Sequence, residues 1–115
     1  MAGRLEGKVA LISGGARGQG ASHGTLFAEE GAKVVLGDVR EEEGRLLAEQ
    51  LRERGLQVLF TRLDVTSSTD WESAVSLAER EYGALNVLVN NAGIVSFSGA
   101  VDPPTHGSRV FLCAA

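Results

Sequence analysis

The sequence predicts an α/β fold built on one doubly wound parallel sheet, and three observations predict it. Short apolar runs alternate with helix-patterned segments from residue 8 to residue 89, and each helix pattern closes on a glycine: Gly31, Gly55 and Gly83. The apolar runs are nearly continuous rather than alternating, as expected of strands covered on both faces. A glycine cluster, Gly14 to Gly20, stands between the first apolar run and the first helix pattern. Strands joined through helices lie parallel with right-handed crossovers, so this order specifies the sheet.

Each element has its own justification. Lys8-Val9-Ala10-Leu11-Ile12 reads as the first strand, and Ala21 to Glu30 as the first helix. Gly31 stops that helix where a left-handed residue is favoured. Ala32 to Leu36 is the second strand. The second helix, Arg40 to Arg54, carries Leu46, Leu47 and Leu51 on one face and ends at Gly55. Leu56 to Leu63 is the third strand. Ser67 or Ser68 can cap the third helix. There Trp71, Ala74, Val75, Ala78 and Tyr82 recur at i, i+3, i+4, i+7 and i+11, a helical stripe whose place is the core. Leu85 to Val89 is the fourth strand. After Gly93 the pattern stops. Asp102-Pro103-Pro104-Thr105-His106-Gly107 breaks any helix, and Val110 to Ala115 is apolar without a cap. The expected organisation is one nucleotide-binding unit over 1–101 and a divergent or truncated tail over 102–115. With no further strand foreseen, the edge of the fourth strand is expected to be bare and prone to aggregation.

Composition narrows the function. The chain has 115 residues, one domain at most. Glycine is 15 of the 115, nearly twice the average share of about 7%, and eleven of the 15 lie in residues 1–55. The net charge is −4 with Lys and Arg dispersed, which argues against a nucleic-acid partner. No apolar run approaches the ~20 residues of a membrane span. Residues 1–6 lack the apolar stretch of a signal peptide. A lone Cys113 and two histidines leave no internal disulfide and no Cys/His metal site. The expectation is a cytoplasmic chain without metal or membrane partner.

The glycine cluster carries the chemistry. Ser13-Gly14-Gly15-Ala16-Arg17-Gly18-Gln19-Gly20 has the spacing Gly-x3-Gly-x-Gly between a strand and a helix. Glycine permits the sharp turn and lets backbone approach a pyrophosphate. The helix start supplies free N–H groups and partial positive charge. A plain glycine turn is the competing reading; the strand–loop–helix context and the following acid favour nucleotide binding. A P-loop is excluded, because no Gly-Lys-Ser/Thr follows. Asp38 ends the second strand 18 residues after Gly20, near the roughly 20 at which an acid meets an adenosine ribose. A carboxylate there repels a 2′-phosphate and favours NAD over NADP, whereas Arg17 pulls toward NADP.

With these residues in place the chain resembles a short-chain dehydrogenase/reductase. Ser13 to Gly20 is similar to that family's Thr-Gly-x-x-x-Gly-x-Gly, with Ser for Thr. Asp64-Val65 matches its Asp-Val pair, and Asn90-Asn91-Ala92-Gly93 its Asn-Asn-Ala-Gly signature. The resemblance covers residues 5 to about 101, and the stretch Gly14 to His23 looks most like the hydroxysteroid dehydrogenase branch. It implies the N-terminal half of a Rossmann-type fold with four strands and three helices. It also implies hydride transfer between NAD(P) and an alcohol or ketone as substrate, in proteins that are commonly homo-oligomers. Gly14, Arg17, Gly18, Gln19 and Gly20 would cradle the pyrophosphate and adenosine side. Asp38 and Val39 would meet ribose and adenine, and Asp64 and Val65 the adenine. Asn91, Ala92 and Gly93 would pass the nicotinamide ribose, while Asn90 would tie neighbouring strands.

The family's catalytic Tyr-x-x-x-Lys pair has no counterpart here. The only tyrosine is Tyr82, four residues before Asn86, and the only lysines are Lys8 and Lys33. No catalytic residue is assigned, and His23, His106, Trp71 and Cys113 are given no catalytic role. The resulting expectation is a cofactor-binding half that is inactive alone. Its rivals are a non-catalytic NAD-binding module and an unstable truncated product. The tail is read as frameshift or alternative-exon sequence, or as the far side of an internal deletion, since Val110-Phe111-Leu112 resembles a family run found further downstream.

Overall fold

The structure is a computed structural model that describes residues 5–90 and, as backbone, the strand at 111–114. In chain order the elements are β1 (Val9–Ser13), α1 (Gly18–Glu29), β2 (Lys33–Asp38), α2 (Glu41–Glu53), β3 (Val58–Arg62), α3 (Ser68–Tyr82), β4 (Val87–Asn90) and β5 (Phe111–Ala114). The sheet order is β3-β2-β1-β4-β5, and every pairing is parallel. From β1 the chain builds outward through β2 to β3, then returns to place β4 on β1's other side. The switch point therefore lies between β1 and β4, where doubly wound folds hold ligands beyond the carboxyl ends of the strands.

Strand pleating sorts the core onto two faces. Leu11 and Val35 pack with Trp71, Ala74 and Ala78 of α3 on one face. Their neighbours Ile12, Val34 and Leu36 pack with Ala28 of α1 and with Ala48 and Leu51 of α2 on the other. All of these side chains are buried. The stripe read on α3 is thus its core face, with Val75 and Tyr82 packed at its margin. Ser67 caps α3, its Oγ accepting the Asp70 N–H at 3.2 Å. Gly31, Gly55 and Gly83 all take the left-handed conformation expected of helix stops. Small residues set the layer spacing: a Cβ on Gly44 of α2 would overlap the ring of Phe60 on β3.

Three details differ from the sequence reading. Helix α1 begins at Gly18 rather than Ala21, so its first turn is made of the glycine-rich segment itself. Glycine is a poor helix former, but tight packing against the preceding loop decides this turn. Strand β2 begins at Lys33 rather than Ala32, and beyond its apolar run Gly37 and Asp38 pair with Thr61 and Arg62 of β3. The third difference concerns the fourth strand, whose edge is not bare. Beside the four expected strands, β5 pairs with β4 from Val87↔Phe111 to Asn90↔Ala114. The apolar run at 111–114 supplies a strand where β4 offers unpaired N–H and C=O groups. No helix among the described residues is long and apolar enough to cross a membrane.

Candidate functional site

The site is assembled where β1, β2 and β3 end. Beyond Ser13 the chain turns through Gly14 and Gly18, whose φ values of 65° and 63° are ones side-chain-bearing residues rarely adopt. The Gly15 N–H donates to the Gly37 carbonyl at 3.1 Å and holds the loop against β2. Gly20 sits over the loop so closely that a Cβ there would overlap the Gly14 carbonyl oxygen. Arg17 at the N-cap of α1 makes no side-chain capping bond, and no acid occupies the first turn. The partial positive charge of this helix start is therefore not neutralised by its own side chains.

Asp38 closes the loop from the end of β2. Only 6% exposed, its Oδ2 accepts the Ala16 N–H at 3.1 Å and its Oδ1 accepts the Arg40 N–H at 3.0 Å. The Arg40 guanidinium stands 4.0 Å from Oδ1. A carboxylate offers about four lone-pair sites, so about two remain for donors in the cleft.

The cleft in front of these groups has a volume of about 440 Å³, within the range of small-molecule sites. Gly14, Arg17, Asp38, Val39, Asp64 and Val65, all singled out in the sequence, line it. Arg40 and Leu63 line it too and were missed, although Arg40's position two residues after Asp38 was a usable signal. Gly18 and Gln19 are exposed in the first turn of α1, and Gly20 is buried there. Asn91, Ala92 and Gly93 lie outside the described residues. Asn90 is buried, and the Ser13 Oγ donates to its Oδ1 at 2.7 Å, the strand tie expected of it.

The β3–α3 connection forms the far wall. Asp64 Oδ1 accepts from Thr66 Oγ at 2.6 Å and from the Thr66 N–H at 2.9 Å. The Thr66 hydroxyl, then its amide, hold the Asp64 carboxyl below the usual carboxylate range. The Trp71 Nε1–H donates to the Val65 carbonyl at 2.9 Å, so the indole is a core brace rather than a stacking platform.

The chain's single tyrosine belongs to the opposite end of the sheet. Lys33, the first residue of β2, lies over the Tyr82 ring, with Nζ 5.8 Å from its centroid. Nearby, Asn86 Oδ1 accepts the N–H of Val9, the first residue of β1, at 2.8 Å. The four steps along β1 from Val9 to Ser13, at ~3.3 Å each, put about 13 Å between this end and the glycine loop. Burial pushes the Tyr82 phenol up. His23 is half-buried on α1.

A glycine-lined, positively polarised loop at the switch point of a doubly wound sheet, with an acid at the end of β2, defines the dinucleotide-binding class of α/β folds. The family model for short chain dehydrogenases matches residues 8–106, and the chain belongs to that family. It is 47% identical over 107 residues to a 2,5-dichloro-2,5-cyclohexadiene-1,4-diol dehydrogenase of Sphingobium indicum, covering 93% of this chain and 43% of that protein. It is 51% identical over 102 residues to a 3-alpha-(or 20-beta)-hydroxysteroid dehydrogenase of Mycobacterium tuberculosis, covering 89% of this chain and 38% of that one. The chain thus spans about two fifths of the length of these relatives. Among solved structures, a short chain dehydrogenase/reductase from Burkholderia phymatum in complex with NAD superposes with a TM-score of 0.75 at 33% identity, covering 78% of this chain and 32% of that one.

Proposed function

We propose that residues 5–90 form the adenosine and pyrophosphate half of a nicotinamide-dinucleotide site. The parent activity is an oxidoreductase exchanging hydride between NAD and an alcohol or ketone. The observation that carries this reading is the cleft itself: a loop too tight for any Cβ at Gly20, facing a buried Asp38 carboxylate with acceptor capacity to spare. That pairing fits the two chemistries of such a ligand. The loop and the α1 N-terminus receive its phosphates, and Asp38 accepts from its ribose hydroxyls. Bound nicotinamide supplies the hydride chemistry; this chain's own residues bind and orient. The family profile and the NAD complex of the Burkholderia relative support a nicotinamide cofactor. The names of the relatives support an alicyclic alcohol such as a hydroxysteroid.

Asp38 favours NAD, because a 2′-phosphate would stand beside a buried negative charge. Arg17 and Arg40 soften the preference without removing it. The 115-residue chain binds NAD without turning it over. Its one tyrosine belongs to the wrong end of the sheet, and no lysine follows it in the chain. Calorimetric titration of the chain with NAD, paired with a nicotinamide absorbance assay on secondary alcohols, tests this. Heat of binding with no turnover is the expected pair of results. No heat at millimolar NAD refutes the site, and turnover refutes the assignment of no catalytic residue to this chain.

A further inference from the structure

The start of α3 carries an acid that does not do what its position predicts. Asp70 is the third residue of the helix after the Ser67 cap, where an acidic side chain ordinarily reaches back to the N-cap N–H. In this protein the Ser67 N–H donates instead to the Asp64 carbonyl at 2.9 Å. The Asp70 carboxylate is turned onto the β3–α3 connection. Its Oδ2 accepts the Asp64 N–H at 2.9 Å and a guanidinium N–H of Arg62 at 3.1 Å. The Asp64 peptide is therefore held from both sides, its N–H by Asp70 and its carbonyl by Ser67. Its side chain is fixed as well, because Oδ1 takes both Thr66 donors. Oδ2 of Asp64 accepts no hydrogen bond among the described residues, and Asp64 lines the cleft.

We infer that Asp70 is a positioning residue for base recognition: it holds Asp64 so that the carboxylate presents an acceptor to the amino edge of an adenine in the cleft. The inference rests on the dinucleotide reading above. An ionised carboxylate only accepts hydrogen bonds. It attracts the 6-amino group of adenine and repels the 6-oxo group of hypoxanthine. Asp64 stays ionised at neutral pH, since the Thr66 bonds lower its pKa.

The test titrates NAD and nicotinamide hypoxanthine dinucleotide against the same samples of the full 115-residue chain and reads the ratio of the two dissociation constants. The folded fraction cancels in that ratio, so a general loss of structure does not move it. The parent should prefer NAD by at least about tenfold, the lower end of the worth of one hydrogen bond to a charged group. Asp70→Ala should bring the ratio toward one while retaining binding of both ligands through the glycine loop. Asp70→Asn, which keeps an acceptor for the Asp64 N–H, should retain most of the preference. If the alanine variant does not fold, Asp70→Ser, whose shorter side chain withdraws the acceptor from the Asp64 N–H, should show the same fall; a ratio no lower than the parent's in the alanine or serine variant, or a complete loss of preference in Asp70→Asn, overturns the inference. A parent that binds both dinucleotides equally overturns it as well. A parent that binds neither dinucleotide overturns the underlying dinucleotide reading instead, which separates the two failures.

Discussion

Replacing Asp38 by alanine removes the carboxylate that joins the end of β2 to the glycine loop. Two hydrogen bonds to a charged acceptor are lost, each worth about 1.5–3 kcal/mol. They do not count equally. Ala16 is 7% exposed, so its N–H is left without an acceptor inside the fold. Arg40 is exposed, so water can replace the bond to its N–H. The Ala16 bond therefore dominates, and the net destabilisation is about 2–3 kcal/mol. Urea unfolding should show the midpoint falling with an unchanged slope. Binding should change in a sequence-specific way as well. NAD loses its ribose acceptor while NADP loses a repulsive neighbour, so the gap between them narrows. Asp38→Asn keeps one acceptor oxygen and should fall between parent and alanine. A stability change under about 0.5 kcal/mol with an unaltered NAD-to-NADP ratio would refute the reasoning, because it would mean the carboxylate neither holds the loop nor faces the ligand.

Other consequences follow from neighbouring residues. Gly20→Ala forces a Cβ into the Gly14 carbonyl, so it should destabilise by about 1–3 kcal/mol and abolish NAD binding, both visible in a thermal scan with and without ligand. The Asp64 carboxyl should titrate by carbon-detected NMR below the ordinary ~3.9 and move back toward it in Thr66→Val, which removes the strongest bond. Its contribution to stability has a definite sign. The folded value lies below the unfolded one, so the stabilisation is complete above the unfolded range and is lost as pH falls through the folded value. Tyr82 runs the other way. Its phenol should ionise above the ordinary ~10 in a near-ultraviolet absorbance titration, with stability complete below that value and declining as pH rises through the raised one.

What could be read from the sequence was what is decided locally. The α3 stripe from Trp71 to Tyr82 and the stops at Gly31, Gly55 and Gly83 depend on helical period and on a left-handed residue, both written in a few neighbouring letters. The glycine loop and Asp38 were legible for the same reason, and six of the eight cleft residues were singled out. What escaped depends on distant partners. Gly18 to Gly20 look like loop, and only packing against Gly14 makes them a helical turn. Asp70 looks like half of a capping box, and only the position of the β3 end turns its carboxylate toward Asp64 and Arg62. The β4–β5 pairing joins segments with more than a dozen residues between them, which no local pattern encodes.

The most direct test of the central claim is amide chemical-shift mapping of the 115-residue chain on addition of NAD. NAD bound in the cleft should shift Gly14, Arg17, Gly18, Gln19 and Gly20, with a second group at Asp38, Val39, Asp64 and Val65, and leave Lys33, Tyr82 and Asn86 unmoved. Shifts clustered instead at the amino ends of the strands around Tyr82, or no shifts at saturating NAD, would contradict it.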